Sequence, residues 1–193
     1  MEHNMALLVM DMQTAMLSRL PDAETLISNV ARAISNARDR KIPVIYVTIG
    51  FRPGAPELNI NGKGEAAKAG RERWTAGFTE EFMKIHPGVA PRAEDILVIK
   101  RRVSAFSGSD LEVVLRAQDI QHLVLTGYAT SGVVLSTVRE AADKDYFMTV
   151  LSDCCANNDD EVHRVLITRV FPRQADVLTV EEWSGPLNPS KPG

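Results

Sequence analysis

The order of apolar and polar positions predicts strands and helices that alternate along the chain. Short continuous apolar runs are typical of strands covered on both faces, and apolar residues repeated every three or four positions indicate helices. The predicted strands are Ala6–Met10, Pro43–Thr48, Asp95–Lys100, His122–Thr126, Tyr146–Leu151 and Asp176–Val180. The predicted helices are one starting at Pro21, Phe78–Met83, Asp110–Gln118 capped by Ser109, one from Thr130 or Ser131 to about Lys144, and Asp159–Val170.

Strands separated by helices favour a parallel sheet with right-handed crossovers and helices on both faces. We therefore expect an α/β fold, a doubly wound six-stranded sheet in the order 3-2-1-4-5-6, arranged as a Rossmann-like three-layer sandwich. The 193 residues fit a single domain, 1–193, in which residues 184–193 contain three prolines and are predicted to be an extended tail. Strands one and four are neighbours in this order, and ligands bind beyond their carboxyl ends.

Residues 50–73 are rich in Gly, Pro, Asn and Lys and show no periodicity, which is typical of a functional or mobile loop. We expect the loop from Phe51 to Trp74 to help bind the substrate. Arg52 is a candidate to meet an anionic substrate, although an exposed loop arginine is more often solvated. Trp74, Phe78 and Phe106 are candidates to form a pocket wall or, equally, plain core.

Composition and net charge limit the classes of molecule that the protein is expected to bind. The net charge is −3 and the isoelectric point is near 5.8, so the chain has no basic footprint for nucleic acid. No apolar run approaches the roughly 20 residues that a membrane span needs, and the N-terminus does not resemble a secretory signal. The only cysteines, Cys154 and Cys155, are sequence neighbours and offer no disulfide framework. We expect a cytoplasmic protein whose partner is a small-molecule substrate.

Three chemical features meet at the carboxyl edge of the predicted sheet. Asp11 ends the first strand, Lys100 ends the third, and the segment from Gly127 to Val133 forms an elbow between the fourth strand and a helix. Alone, such an aspartate is often a helix cap and such a lysine is often solvated; together they indicate a site. Asp11 is either an ionised base beside the ammonium group or a protonated acid in a buried setting. Backbone N–H groups of the elbow would stabilise an oxyanion.

The motifs Leu-Val-Met-Asp-Met-Gln, Val-Ile-Lys-Arg-Arg-Val-Ser-Ala-Phe-Ser-Gly-Ser-Asp-Leu and Thr-Gly-Tyr-Ala-Thr-Ser-Gly-Val-Val occur in this order and spacing. This set resembles the isochorismatase-like hydrolase superfamily, over nearly the whole chain. The resemblance implies that Asp11 and Lys100 are catalytic and that the Tyr128–Ala129 peptide is cis. It also implies an oxyanion hole formed by the N–H groups of Ala129 and Val133. The residues expected to bind the substrate are Gln13, Phe106, Tyr128, Ala129 and Thr130.

Val133 falls where the resembled amidases have their nucleophilic cysteine, and valine cannot form a covalent intermediate. Isochorismatases also lack that cysteine; their aspartate protonates a vinyl ether and water adds to the resulting cation. The elbow here differs from the Val-Tyr-Ala-His type of isochorismatases. The sequence thus leaves two hypotheses: a hydrolase that cleaves a vinyl ether or C–N bond with Asp11, Lys100 and water, and a catalytically silent binding or regulatory protein that retains the pocket.

No metal and no cofactor are expected. Nicotinamidases of the resembled superfamily bind a divalent ion through an aspartate and histidines after strand two, but residues 48–59 contain no histidine here. The four histidines show no ligand spacing and are His3, His86, His122 and His163. Cys154 and Cys155 are interpreted as structural rather than as a relocated nucleophile. The resemblance also implies a homo-oligomer, a dimer or a tetramer.

Overall fold

Six parallel strands form the central sheet in the order β3-β2-β1-β4-β5-β6, which confirms the predicted order. The computed structural model describes residues 4–185, without the side chain of Glu65. The strands are β1 (Met5–Met10), β2 (Val44–Ile49), β3 (Ile96–Lys100), β4 (His122–Tyr128), β5 (Phe147–Ala156) and β6 (Asp176–Leu178). β1 and β4 pair side by side, with Met10 opposite Gly127. The switch point of the sheet therefore lies between the ends of these two strands.

Helices cover both faces of the sheet. They are α1 (Thr14–Leu17), α2 (Ala23–Asp39), α3 (Glu65–Lys68), α4 (Ala76–Phe82), α5 (Leu111–Ala117), α6 (Leu135–Asp143), α7 (Asp160–Val165) and α8 (Val180–Ser184). A π-helical turn, Thr130–Val134, precedes α6, and a second one, Leu166–Val170, extends α7. Among the described residues, no helix has both the length and the apolar character needed to cross a membrane.

Alternation along each strand creates two separate apolar layers. In β1, Leu7 and Val9 pack in the layer that contains the buried residues of α2 and α8. Leu8 and Met10 point to the other face and pack in the layer of α5 and α6. The core thus lies on both sides of β1, and the polar residues at the end of that strand remain available for a site.

β5 is longer than the sequence predicted. The polar residues Ser152 and Asp153 interrupt the apolar run, but β5 continues alongside β4 after a register shift between Leu125 and Gly127. Cys154 and Cys155 therefore lie inside the strand and not after it, and Cys155 is opposite Gly127. Both thiols are buried in the apolar layers on the two faces of the sheet.

The C-terminal prediction was wrong in two details. β6 ends at Leu178 rather than Val180 because Thr179 begins a helix: its side chain accepts from the Glu182 N–H, and Glu182 accepts from the Thr179 N–H. This capping box fixes α8, so Ser184 is helical and does not belong to an extended tail. The rest of the predicted tail, residues 186–193, lies outside the described residues.

The long loop after β2 has a small apolar core of its own. Trp74 is packed edge-on by three phenylalanines, with ring centroids 4.6 Å from Phe51 and 5.2 Å from both Phe78 and Phe82. Trp74 is only 3% exposed. Phe51 and Trp74 of the loop therefore pack against the phenylalanines of α4, which makes the loop and α4 one folded unit beside the carboxyl ends of β2 and β3.

Candidate active site

Asp11 lies immediately after β1, where the chain leaves the sheet. Its backbone has φ of 54°, a left-handed conformation that aspartate tolerates better than most residues. The Asp11 N–H donates to the Val47 carbonyl at 2.8 Å, which anchors this turn to β2. The fold thus holds the Asp11 carboxylate at the edge of the sheet that the topology predicts for ligands.

Lys100, the last residue of β3, reaches Asp11 across β2. Its Nζ lies 2.9 Å from Oδ2 of Asp11 and donates to the Arg102 carbonyl at 3.0 Å. Asp11 is 4% exposed and Lys100 is 1% exposed, so the pair is almost completely removed from water. Within the described part of the chain, no group bonds to the other carboxylate oxygen, Oδ1 of Asp11. Other buried atoms of the described residues also lack a partner, such as the Tyr146 hydroxyl, but Oδ1 of Asp11 lies at the carboxyl edge of the sheet, where ligands bind in this topology.

Burial raises the pKa of the Asp11 carboxyl above its ordinary value, because the charged form loses its hydration. The positive charge and hydrogen bond of Lys100, and the backbone N–H of Ile49, lower the pKa but do not cancel the effect of burial. The site therefore favours the protonated form of Asp11 more than a solvated aspartate would. This is the setting of a general acid.

The elbow begins at Gly127, whose φ of 137° is rarely accessible to other residues. A Cβ atom there would lie 2.1 Å from the Met10 carbonyl oxygen, so only glycine allows β4 to approach β1 this closely. The following peptide, Tyr128–Ala129, is cis, as the family resemblance implied. The Ala129 carbonyl then accepts from the N–H groups of Gly132 and Val134, which closes the π-helical turn.

Val133 lies in this turn, between the sheet and α6. It is 2% exposed and belongs to the apolar layer that also contains Phe106. The Phe106 ring stacks on Tyr146 with centroids 5.8 Å apart, and it is 7% exposed. Val133 thus lies within the elbow, whereas the Phe106 ring packs on Tyr146, which directly precedes the first residue of β5 at the amino edge of the sheet. Contact of Phe106 with a substrate stays a prediction.

Gln13 is fully buried and uses its amide to connect separate segments. Its Nε2 donates to the carbonyls of Ile49 at 3.1 Å and Phe82 at 2.6 Å, and its Oε1 accepts from the Ile49 N–H at 2.8 Å. These bonds join the end of β1 to the end of β2 and to α4. Contact of Gln13 with the substrate stays a prediction, and in this conformation its amide binds the protein itself.

Three side chains that the sequence did not single out contact the elbow. Asn158 Oδ1 accepts from the Tyr128 hydroxyl at 2.7 Å. Asn157 Oδ1 accepts from the N–H of Ser131 at 3.2 Å and from its hydroxyl at 2.7 Å. His163 Nδ1 lies 2.8 Å from the hydroxyl oxygen of Thr130. The sequence signal for the two asparagines was the polar run Asn-Asn-Asp-Asp, residues 157–160. This run follows β5, which ends at the same edge of the sheet as the elbow.

The long loop is attached to the end of β3 by a carboxylate. Glu57 Oε1 lies 2.5 Å from Arg52 and 3.5 Å from Arg101, and the Glu57 carbonyl accepts from Arg102 at 2.9 Å. Arg101 also donates to the Gly50 carbonyl at 2.6 Å. Arg52, the candidate for an anionic substrate, is therefore paired with a carboxylate of its own loop.

The remaining candidates do not form a second reactive centre. Burial raises the pKa of Cys155 to about 12 and also raises that of Cys154, so both thiols are held protonated. This agrees with a structural role, because the thiolate is the nucleophilic form. In the described residues, no three His, Cys, Asp or Glu side chains are close enough to hold a metal ion, and the absence of a metal stays a prediction.

A cleft of about 340 Å³ opens at the amino ends of β2 and β3, near Arg38, Lys41 and Arg92. It lies at the edge of the sheet opposite to Asp11. Arg38 is already paired there with Asp95 at 2.6 Å. We therefore place the candidate site at the Asp11 edge, where the partnerless carboxylate oxygen and the elbow lie.

Comparison with known proteins agrees with this geometry. The sequence profile of the isochorismatase domain family matches residues 5–182 of this chain. The chain belongs to the isochorismatase family. It is 34% identical over 181 residues to a probable isochorismatase of Pseudomonas chlororaphis, covering 91% of this chain and 83% of that protein. It is 30% identical over 207 residues to the ureidoacrylate amidohydrolase RutB of Stutzerimonas stutzeri, covering 93% and 77%.

Structural comparison gives the same family. An isochorismatase family protein from Burkholderia thailandensis superimposes with a TM-score of 0.80 at 27% identity, covering 93% of each chain. The six-stranded sheet and its flanking helices are thus those of an isochorismatase-family hydrolase.

Proposed function

We propose that the protein hydrolyses a small polar metabolite, at a vinyl ether or C–N bond, with Asp11, Lys100 and water and without a cysteine nucleophile. The observation that carries the proposal is the carboxylate of Asp11. One of its oxygens is bonded to Lys100 at 2.9 Å, and the other is buried without a partner. A substrate atom or water that met this second oxygen would complete its bonding.

The raised pKa of Asp11 favours the vinyl ether route. Protonated Asp11 would donate its proton to the terminal carbon of the double bond, leaving a cation stabilised by the ether oxygen. Water would add to that cation and return a proton to Asp11, and the resulting hemiketal would break into a ketone and an alcohol. Lys100 would hold Asp11 in position and stabilise its carboxylate between the two proton transfers.

The C–N route uses the same residues in another order. Ionised Asp11 would take a proton from water, and water would attack the carbonyl carbon. The oxyanion would be stabilised by the N–H groups of Ala129 and Val133, and Asp11 would then protonate the leaving nitrogen. The similarity to an amidohydrolase supports this route, and the similarity to a probable isochorismatase supports the first.

Val133 supports a route without a covalent intermediate. The resemblance of the motif Thr-Gly-Tyr-Ala-Thr-Ser-Gly-Val-Val implies that Val133 replaces the nucleophilic cysteine of the amidases, and its side chain has no atom that can attack a carbonyl. Val133, Asp11 and Lys100 are each less than 5% exposed, so the reaction would take place largely away from bulk water. Lys100 donates to the Arg102 carbonyl, and Arg101 donates to the Gly50 carbonyl. The turn after Lys100 and the start of the long loop are therefore the segments that border the Asp11–Lys100 pair.

The lack of a nucleophilic atom at Val133 and the burial of Asp11 and Lys100 also favour a second candidate function. This is a binding or regulatory protein that retains the pocket without turnover. The two functions are separated by a screen of wild type and Val133→Cys against isochorismate, nicotinamide and ureidoacrylate, with product formation followed by mass spectrometry. Turnover by wild type supports the hydrolase. Turnover of an amide or carbamoyl compound by Val133→Cys alone indicates an amidase whose reaction was lost, and it contradicts the proposed hydrolase.

A further inference from the structure

The elbow is held from outside by a short segment that follows β5. We call residues 157–163 the brace segment. Its side chains bond to Tyr128, Thr130 and Ser131, which surround Ala129 on both sides. Ala129 itself has only a methyl group, so the direction of its peptide depends on these neighbours.

The bonds of the brace segment differ in how strongly they hold the elbow. Ser131 and Asn158 are exposed, so water competes for the bonds that they form with Asn157 and Tyr128. Thr130 is different, because it is fully buried and its hydroxyl oxygen is paired with the His163 ring at 2.8 Å. Loss of this partner would leave a buried hydroxyl unsatisfied.

We propose that His163 is a positioning residue for the reaction of this site: its imidazole holds Thr130 and thereby fixes the backbone N–H groups of the elbow. The proposal rests on the proposed function, since those N–H groups are the ones that would stabilise an oxyanion. Backbone donors have no rotamers of their own. Their aim is set by the side chains that anchor the turn, and errors near 1 Å are costly in catalysis.

The surroundings of His163 favour this role. Its helix, α7, is fixed at its start by Asp159, whose carboxylate accepts from the Val162 N–H at 3.0 Å. Partial burial lowers the pKa of His163, while the charge of Asp160 opposes that shift. In either tautomer of the neutral ring, Nδ1 forms a hydrogen bond with the Thr130 hydroxyl, which can both donate and accept.

A second histidine–threonine pair provides a matched control. His122 Nε2 lies 2.9 Å from the hydroxyl oxygen of Thr149 and joins the first residue of β4 to the third residue of β5. This pair lies at the amino edge of the sheet, opposite to the elbow. His122→Leu therefore removes a similar bond from the same fold without altering the brace segment.

The experiment compares His163→Leu, His163→Asn, Thr130→Val, the double variant His163→Leu/Thr130→Val and His122→Leu in the full chain. We expect His163→Leu to lower kcat by about 10- to 100-fold with KM changed by less than about threefold. His163→Asn, which retains a polar atom near Nδ1, should restore most of kcat. The double variant should be no slower than either single variant, because both remove the same bond. His122→Leu should keep the wild-type kcat.

A second measurement needs no substrate. The amide NMR signals of Ala129 and Val133 should shift in His163→Leu and in Thr130→Val, but not in His122→Leu. If the wild type turns over no compound, the proposed function fails. The amide signals of Ala129 and Val133 still test whether His163 positions the elbow, because their measurement requires no turnover. Unshifted signals in His163→Leu, or a kcat equal to that of wild type, would overturn the positioning role. If His163→Leu does not fold, Thr130→Val against Thr130→Ser makes the same comparison.

Discussion

The Nζ atom of Lys100 lies 2.9 Å from Oδ2 of Asp11, and the two side chains are almost fully buried at the ends of strands that are separated by β2. Two charges removed from water in this way stabilise a fold only weakly, because desolvation opposes their attraction. The pair is better explained by chemistry than by stability. Its consequences can be measured through pH, substitution and turnover.

The first prediction concerns pH. If Asp11 acts as an acid, only its protonated form is active, so kcat should fall as the pH rises through the raised pKa of this carboxyl. The measurement is a pH–rate profile of kcat for the substrate found by the screen. A kcat that rises with pH would instead indicate an ionised Asp11 that acts as a base.

The second prediction concerns Lys100→Met. The Lys100 charge lowers the pKa of Asp11, so its removal should raise that pKa further. A carboxyl with a folded-state pKa above its unfolded value stabilises the fold fully below the unfolded pKa, and this stability is lost as the pH rises through the folded pKa. Lys100→Met should therefore lose more stability than the wild type does as the pH rises above the ordinary aspartate pKa of about 4.

Thermal unfolding at several pH values measures this difference. Lys144→Met is the control, because it removes a lysine from a partly exposed pair with Glu112 at 2.6 Å. Lys144 lowers the pKa of Glu112, so its removal should not increase the loss of stability as the pH rises. Equal pH dependence in Lys100→Met and the wild type would contradict the assigned coupling between Lys100 and Asp11.

The third prediction concerns Gly127→Ala. The added methyl group would meet the Met10 carbonyl oxygen at 2.1 Å, and the backbone of neither strand can move freely. We expect the free energy of unfolding to fall by about 3 kcal/mol or more, which is larger than the effect of most single substitutions. Urea denaturation measures the change.

Gly77→Ala is the matched control for this substitution. Gly77 is exposed in α4, and a Cβ atom there would have no heavy atom within 4 Å. Alanine favours a helix more than glycine by up to about 1 kcal/mol, so the control should be neutral or stabilising. A Gly127→Ala protein as stable as the control would refute the close approach of β4 to β1.

Much of the fold followed from patterns within single segments. Continuous apolar runs located the strands, and their separation by helices determined the order of the sheet. β5 was ended too early because Ser152 and Asp153 are polar, whereas its pairing with β4 beyond Gly127 depends on contacts distant in sequence. The start of α8 at Val180 was missed because a capping threonine resembles the last residue of a strand.

In the candidate site, too, some features could be predicted from the sequence, and others depend on contacts between residues distant in sequence. Asp11, Lys100 and the elbow could be placed together because strand order alone brings their strand ends to one edge. The contact of His163 with Thr130 could not be predicted, since it joins residues 33 positions apart without any periodic signal. The bonds of Gln13 to Ile49 and Phe82 depend likewise on the folded path of the long loop.

The most direct measurement of the central claim is the kcat/KM of Asp11→Asn on the substrate that wild type turns over. Asp119→Asn is the control, because Asp119 also has φ of 54° but lies exposed after α5. We predict that Asp11→Asn keeps the wild-type circular dichroism and loses about 100-fold or more in kcat/KM, while the control keeps its activity. An Asp11→Asn protein with the kcat/KM of wild type would contradict the role assigned to Asp11.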